Sequence, residues 1–293
     1  MHMNFGWNCS YMAPKSEDVQ LFVKIAQEME RTGFHTFWYG EHIIMPDRLD
    51  VGQYPYASFP LENSWPDVYC LLSAAALATT TIRLGTAVAI VPYRDPVPQA
   101  QAVATVDALS GGRFLYGAGV GWMREEFEAL GVPFTERGAR TTDNVRIMRA
   151  LWRGETPDFE SRFYARPAGK IQPLPVTKPH PPIIVGGEGM PAMKRIVDYG
   201  NGWHFYYQAP AQLRNTLATL GDMMTEARRD MAELDLSMAI DHEHILGNWH
   251  EVAEFEALGV REMVIRPPFK NVQEAHAQVG VLAGQLIGRE VHV

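Results

Sequence analysis

Cysteine is scarce. The two residues, Cys9 and Cys70, stand far apart and in no metal-ligand spacing. That excludes a disulfide framework and a thiolate metal centre, and it suits a reducing compartment, so a cytoplasmic protein is expected. Positive charge is in deficit: 26 Lys and Arg stand against 34 Asp and Glu, for a net charge of −8. Nucleic acid is therefore not an expected partner. A small molecule bearing a phosphate is compatible with that charge, because local backbone N–H groups bind phosphate unaided. Long apolar runs are missing too. A run such as Ala74–Ala78 is far too short to span a bilayer, so no membrane association is expected. Met1–Phe5 lacks a basic stretch followed by an apolar one, which argues against a signal peptide. No repeat, low-complexity segment or linker interrupts the 293 residues, and one domain spanning 1–293 is expected.

What is present is a regular alternation. Short β-like runs fall at 3–8, 34–39, 82–90, 113–117, 182–185, 202–206, 236–246 and 262–266. Helical patterns fall at 17–32, 67–78, 97–109, 142–152, 191–199, 211–234, 251–258 and 272–287. Strand followed by helix, eight times over, predicts a (β/α)8 TIM barrel rather than a doubly wound sheet. Asp95-Pro96 reads as an N-cap and first helical residue, and Gly33 and Gly259 as helix stops. Two long connections, 43–66 after strand 2 and 153–181 before strand 5, read as insertions covering a pocket at the catalytic face.

Several segments carry polar groups to that face. Glu41 and His42 follow the apolar run 34–39, where barrel enzymes place catalytic groups. A histidine there can move a proton near neutral pH. The plainer alternative is a loop cap beside a surface ion pair. Gly119 and Gly121 end strand 4, where glycine lets a backbone approach a planar ring or a phosphate, or simply makes a turn. The turn Gly186-Gly187-Glu188-Gly189 follows a strand and opens a helix, an arrangement that binds anions, with a plain tight turn as the alternative. It lacks the Lys-Ser/Thr of a nucleotide hydrolase. His204 ends strand 6, facing substrate or bonding a loop carbonyl. His242 and His244, read as one face of strand 7, form a single His-x-His pair. No second pair accompanies them, so no metal site is expected.

Taken together these segments resemble the bacterial luciferase-like monooxygenase superfamily, from Phe5 to about Pro267. The most specific stretch is "LGTAVAIVPYRDPVPQAQAVATVDALSGGRFLYGAGVGWMREEFEALGVPFTERGARTTDNVRIMRALW", with "PPIIVGGEG…YGNGWHF" as a second cofactor region. The resemblance implies a ring cofactor over the end of strand 3 at Thr86, Ala87 and Val88, with a cis peptide at Ala87-Val88. It implies that Gly119, Gly121, Trp122, Gly186, Gly187, Glu188 and Gly189 approach the cofactor. It makes His42 the proton partner and Glu41 the group that orients the ring or His42.

Residues 119–140 look most like the branch using the deazaflavin coenzyme F420 for hydride transfer. The alternative is reduced FMN with O₂ and a separate reductase. Trp122 stands near the place where some deazaflavin sugar dehydrogenases carry a catalytic Glu; Glu125 or Glu126 could substitute. Trp7, Trp38, Trp122 and Trp203 are expected to wall a pocket for a small hydrophobic substrate. The family resemblance also implies a homodimer. Two other classes are weighed: a flavin-binding protein without turnover, and a metal-dependent hydrolase using His42, His242 and His244.

Overall fold

The computed structural model describes residues 3–12, 15–46, 65–165, 168–269 and 271–289. The strands are β1 (Asn4–Asn8), β2 (Thr36–Tyr39), β3 (Arg83–Thr86), β4 (Ala89–Ile90), β5 (Phe114–Gly119), β6 (Ile183–Gly186), β7 (Gly202–Tyr206), β8 (Asp235–Asp241) and β9 (Glu262–Arg266). All pair in parallel. β1 lies between β2 and β9, and both β3 and β4 pair with β5, so the ring closes. β3 and β4 are two halves of one barrel strand, interrupted at Ala87-Val88. This is the (β/α)8 barrel that the alternation predicts.

Helices α1 (Gln20–Thr32), α2 (Val68–Ala78), α3 (Pro96–Ser110), α4 (Arg124–Ala129), α5 (Arg137–Trp152), α6 (Gly189–Tyr199), α7 (Pro210–Glu226), α8 (His242–Gly247), α9 (Glu251–Ala257) and α10 (Val272–Leu286) surround it. Their ends follow local chemistry. Gly33 stops α1 at φ 92°, a left-handed conformation in which its N–H reaches the last-turn carbonyls. Asp95 caps α3 through the Val97 N–H, with Pro96 at the first helical position. Among the described residues no helix is long and apolar enough to cross a membrane.

Two expectations need correction. The strand read at 236–246 ends at Asp241, and α8 begins at His242. His242 and His244 are therefore not neighbours on one strand face. The polar run that looked like alternation is a short helix with Glu243 in its first turn, where the helix dipole favours a carboxylate. The described residues of the connection 153–181 also do not line the clefts at the barrel mouth. They pack on the outer helices, with Ser161 on Asp143 of α5 and Thr177 on Asp107 of α3. A connection into a strand starts at the barrel bottom, so a long one lies along the flank. Of 43–66, residues 47–64 lie outside the described residues.

The main core fills the layer between sheet and helices. A smaller one, of Trp38, Leu115, Ile184 and Val264, plugs the barrel. Trp38 fits there because two facing positions lack a side chain. A Cβ on Gly85 would lie 2.3 Å from the indole, and one on Gly6 2.9 Å from its Nε1. Gly85→Ala should therefore cost about 1–3 kcal/mol, as overpacking does. Urea unfolding checks this, and an unchanged midpoint would place Trp38 elsewhere.

Candidate active site

The mouth of the barrel is built around the break between β3 and β4. The Ala87-Val88 peptide is cis. The Val88 side chain sits in space left by two glycines: a Cβ on Gly119 would lie 2.3 Å from Val88 Cγ2, and one on Gly186 2.6 Å from Val88 Cγ1. Thr86 anchors the break from below, its Oγ1 donating to the Gly117 carbonyl at 2.8 Å. Two clefts open on either side. One is lined by Ser10, Glu41, His42, Trp65, Ile90 and Trp122 among others. The second is lined by Asn8, Gly186, Gly187 and His204 among others. Ala87, Val88 and Tyr206 line both.

In the first cleft His42 is held from three sides. Its Nδ1 lies 3.0 Å from Glu126 Oε2, and its ring meets Trp65 and Trp122 edge-on, at centroid distances of 4.6 and 5.5 Å. Glu126 is buried in α4. It also accepts from the Tyr93 hydroxyl and, at 2.6 Å, from the Ile43 N–H. A carboxylate only accepts, so the Nδ1 that faces Glu126 carries the proton. Proton exchange with a substrate then falls to Nε2.

Glu41 does something else. One carboxylate oxygen accepts from the Ile90 N–H at 2.7 Å, and the other pairs with Arg94. Arg94 in turn bonds Asp67 at 2.8 Å. Burial pushes the Glu41 carboxyl upward, and Arg94 and the Ile90 N–H oppose that push. The group thus ties the end of β2 to the strand after the break.

His204 lines the second cleft, stacked on Trp38 at 5.4 Å, with Nδ1 3.0 Å from Ser237 Oγ. Burial pulls it down from 6.5 to about 4. Between those values the unfolded chain binds the proton first. His204 therefore contributes stability above about pH 6.5 that is lost as the pH falls toward 4. Its ring-proton NMR shift should titrate near pH 4, and a midpoint near 6.5 would contradict its burial.

Beside this cleft α6 starts without a side-chain cap at Glu188, so its first N–H groups are unpaired by the chain. Gly187 adopts φ 105°, and nothing lies within 4 Å of where its Cβ would be. Its carbonyl accepts from Trp203 Nε1 at 2.8 Å, which fixes the turn. An open turn with unpaired N–H groups is suited to an anion.

The sequence profile of the luciferase-like monooxygenases matches residues 3–286. The chain belongs to that family. An uncharacterized protein of Mycobacterium tuberculosis is 32% identical over 270 residues, 89% of this chain and 92% of that one. An F420-dependent glucose-6-phosphate dehydrogenase of Amycolatopsis mediterranei is 28% identical over 236 residues, 77% of this chain and 67% of that one. An FMNH(2)-dependent dimethylsulfone monooxygenase of Pseudomonas putida is 29% identical over 194 residues, 65% of this chain and 49% of that one. A monooxygenase from Streptomyces bottropensis has the same fold, with TM-score 0.76 at 20% identity, covering 97% of this chain and 99% of that one.

In this luciferase-like oxidoreductase or monooxygenase the site residues expected from sequence fall into two groups. Glu41, His42, Ala87, Val88, Trp122, Gly186, Gly187 and His204 line the clefts. Glu188 and Gly189 are exposed at the start of α6. The others sit behind that surface. Thr86 is fully buried against Gly117. Gly119 makes room for Val88, and a Cβ on Gly121 would lie 2.7 Å from both Ile90 and Phe127.

Three of the four tryptophans are not pocket wall. Trp7 and Trp203 point outward into the core between sheet and helices, because inward positions alternate with outward ones along a strand. Trp38 faces inward, and it plugs the barrel below His204. Trp65 takes the place expected of them. Glu41 does not bond His42; Glu126 does. Among the described residues no group of three or more His, Cys, Asp or Glu is arranged to hold a metal.

Proposed function

We propose that this luciferase-like protein uses the deazaflavin coenzyme F420 to move a hydride between the cofactor and a small organic substrate. The observation that carries this reading is the His42–Glu126 pair at 3.0 Å, beside the Ala87-Val88 break and between two aromatic edges. The residues present fit a ring with a phosphate-bearing tail. Val88, Ile90, Trp65 and Trp122 offer apolar surface, and the uncapped start of α6 offers N–H donors. When bound, such a ring supplies or accepts the hydride.

The rest is done by the chain. Moving a hydride off an alcohol carbon also releases the hydroxyl proton, and the reverse reaction needs one. His42 Nε2 takes or gives that proton, Glu126 holds the ring in the tautomer for the task, and Tyr93 and the Ile43 N–H hold Glu126. Trp65 and Trp122 restrict water around His42 and favour an apolar substrate body. Glu41 and Arg94 keep the break in place.

The same cleft supports a second reading, in which reduced FMN and O₂ carry out monooxygenation with a separate reductase as partner. The sequence relationship to the dimethylsulfone monooxygenase favours it. Titrating the protein with F420 and with FMN, followed by absorbance or fluorescence, separates the two. The proposal expects F420 to bind and FMN to bind more weakly. Tight binding of FMN alone selects the oxygenase, and binding of neither removes both.

A further inference from the structure

Two arginines, Arg137 and Arg195, stand beside the start of α6. Arg137, the first residue of α5, donates from Nε to the Gly121 carbonyl at 3.2 Å and from Nη1 to the Phe134 carbonyl at 3.0 Å. Arg195, in α6, donates to the Pro191 carbonyl at 3.0 Å and to the Gly138 carbonyl at 3.3 Å. Its Nε is buried without a partner. Gly138 makes this approach feasible, since a Cβ there would lie 2.7 Å from Arg195 Nη2. Arg124 and Arg137 both lie on the ring of Phe134, at 4.5 and 3.9 Å from its centroid.

Among the described residues neither Arg137 nor Arg195 has a carboxylate within ion-pair distance, whereas Arg140, Arg146 and Arg229 around them are each paired. Burial, with Arg124 and Arg195 nearby, pulls the Arg137 guanidinium below its usual range. Two half-buried like charges are costly unless an anion joins them. Both guanidinia are already oriented by carbonyl bonds and keep further N–H donors, as a preformed anion site requires.

We propose that Arg137 and Arg195 form a second anion subsite, outside the phosphate site at the start of α6, that takes the carboxylate-bearing tail of a deazaflavin cofactor. FMN ends at its phosphate and has no group for this subsite, so the pair selects a long polyanionic tail over a short one. This rests on the F420 reading above.

The test compares three probes by fluorescence titration: F420 with its glutamate tail, the same deazaflavin ring system without phosphate or glutamates, and FMN. Wild-type protein should bind tailed F420 at least tenfold more tightly than the tail-less ring, and only the tailed form should weaken as salt is raised. Arg195→Gln and Arg137→Gln should each weaken F420 roughly tenfold, as loss of a charge-assisted contact does, with the tail-less ring unaffected. That last control distinguishes a lost contact from a misfolded variant, and the salt series needs no variant at all. Unchanged F420 affinity in both variants overturns the proposal and leaves the F420 reading standing. An equal loss for FMN and F420 also overturns it, assigning the arginines to the phosphate. Failure of both deazaflavin probes to bind overturns the F420 reading, and this proposal with it.

Discussion

Replacing His42 with alanine should lower turnover by about 10²–10⁴-fold, the range for loss of a positioned acid or base. Cofactor affinity should stay near the wild-type value. The reason is the division of labour at the barrel mouth. His42 touches Glu126, Trp65 and Trp122, while the break at Ala87-Val88 is held by other groups. Val88 rests against Gly119 and Gly186, Thr86 against Gly117, and the Ile90 N–H on Glu41. Removing the imidazole leaves all of these in place. Rapid-mixing measurement of hydride transfer, alongside a binding titration, checks both halves of the expectation. Unchanged turnover would take His42 out of the chemistry. Loss of binding would make it a cofactor-holding group instead.

Glu126→Gln should be nearly as damaging, and for a different reason. The amide keeps the shape of the side chain but offers an NH₂ where a carboxylate oxygen now accepts. That oxygen serves both His42 Nδ1 and the Tyr93 hydroxyl, and the other accepts from Ile43. One of these donors must then face another donor, or the histidine must switch tautomer. In a hydrolytic triad the matching exchange of an orienting carboxylate costs about 10⁴-fold. A loss of roughly 10²–10⁴-fold in kcat is expected here on the same grounds, with KM changing far less. One mispaired buried donor should also lower stability by about 1–3 kcal/mol. A positioning role predicts this kcat loss together with an altered pH profile of kcat. A purely structural role predicts lower stability with kcat intact per folded molecule.

Much of the fold is legible in the sequence because strand and helix periods differ and glycines punctuate them. The apolar run before Gly40 and the helix from Asp95-Pro96 to Gly111 lie where the pattern puts them. Asp241–His244 misled because four polar residues show alternation and the start of a helix equally well. The direction of an indole is not a periodic signal in a run of aromatic residues. Phe37, Trp38 and Tyr39 are all buried, and the missing side chains at Gly6 and Gly85, with the stack on His204, show that Trp38 turns inward.

Glu126 was legible only as one of two acids after strand 4. Its partnership with His42 spans 84 residues and depends on α4, a six-residue helix too short to announce itself by period. The signal available was a carboxylate beside Phe127, at a position that helix geometry buries. The cis peptide came from family resemblance; nothing in the local residue types points to it.

The central claim is that a ring cofactor lies against Ala87-Val88 with His42 at its reactive edge. A crystal structure with oxidised F420 bound tests this most directly. The account predicts the ring against Val88 between the two clefts, the tail running past Gly187 and the start of α6, and His42 still joined to Glu126 with Nε2 facing the reactive carbon. A ring bound away from Val88, or a His42 that has left Glu126 and turned from the cofactor, would contradict it.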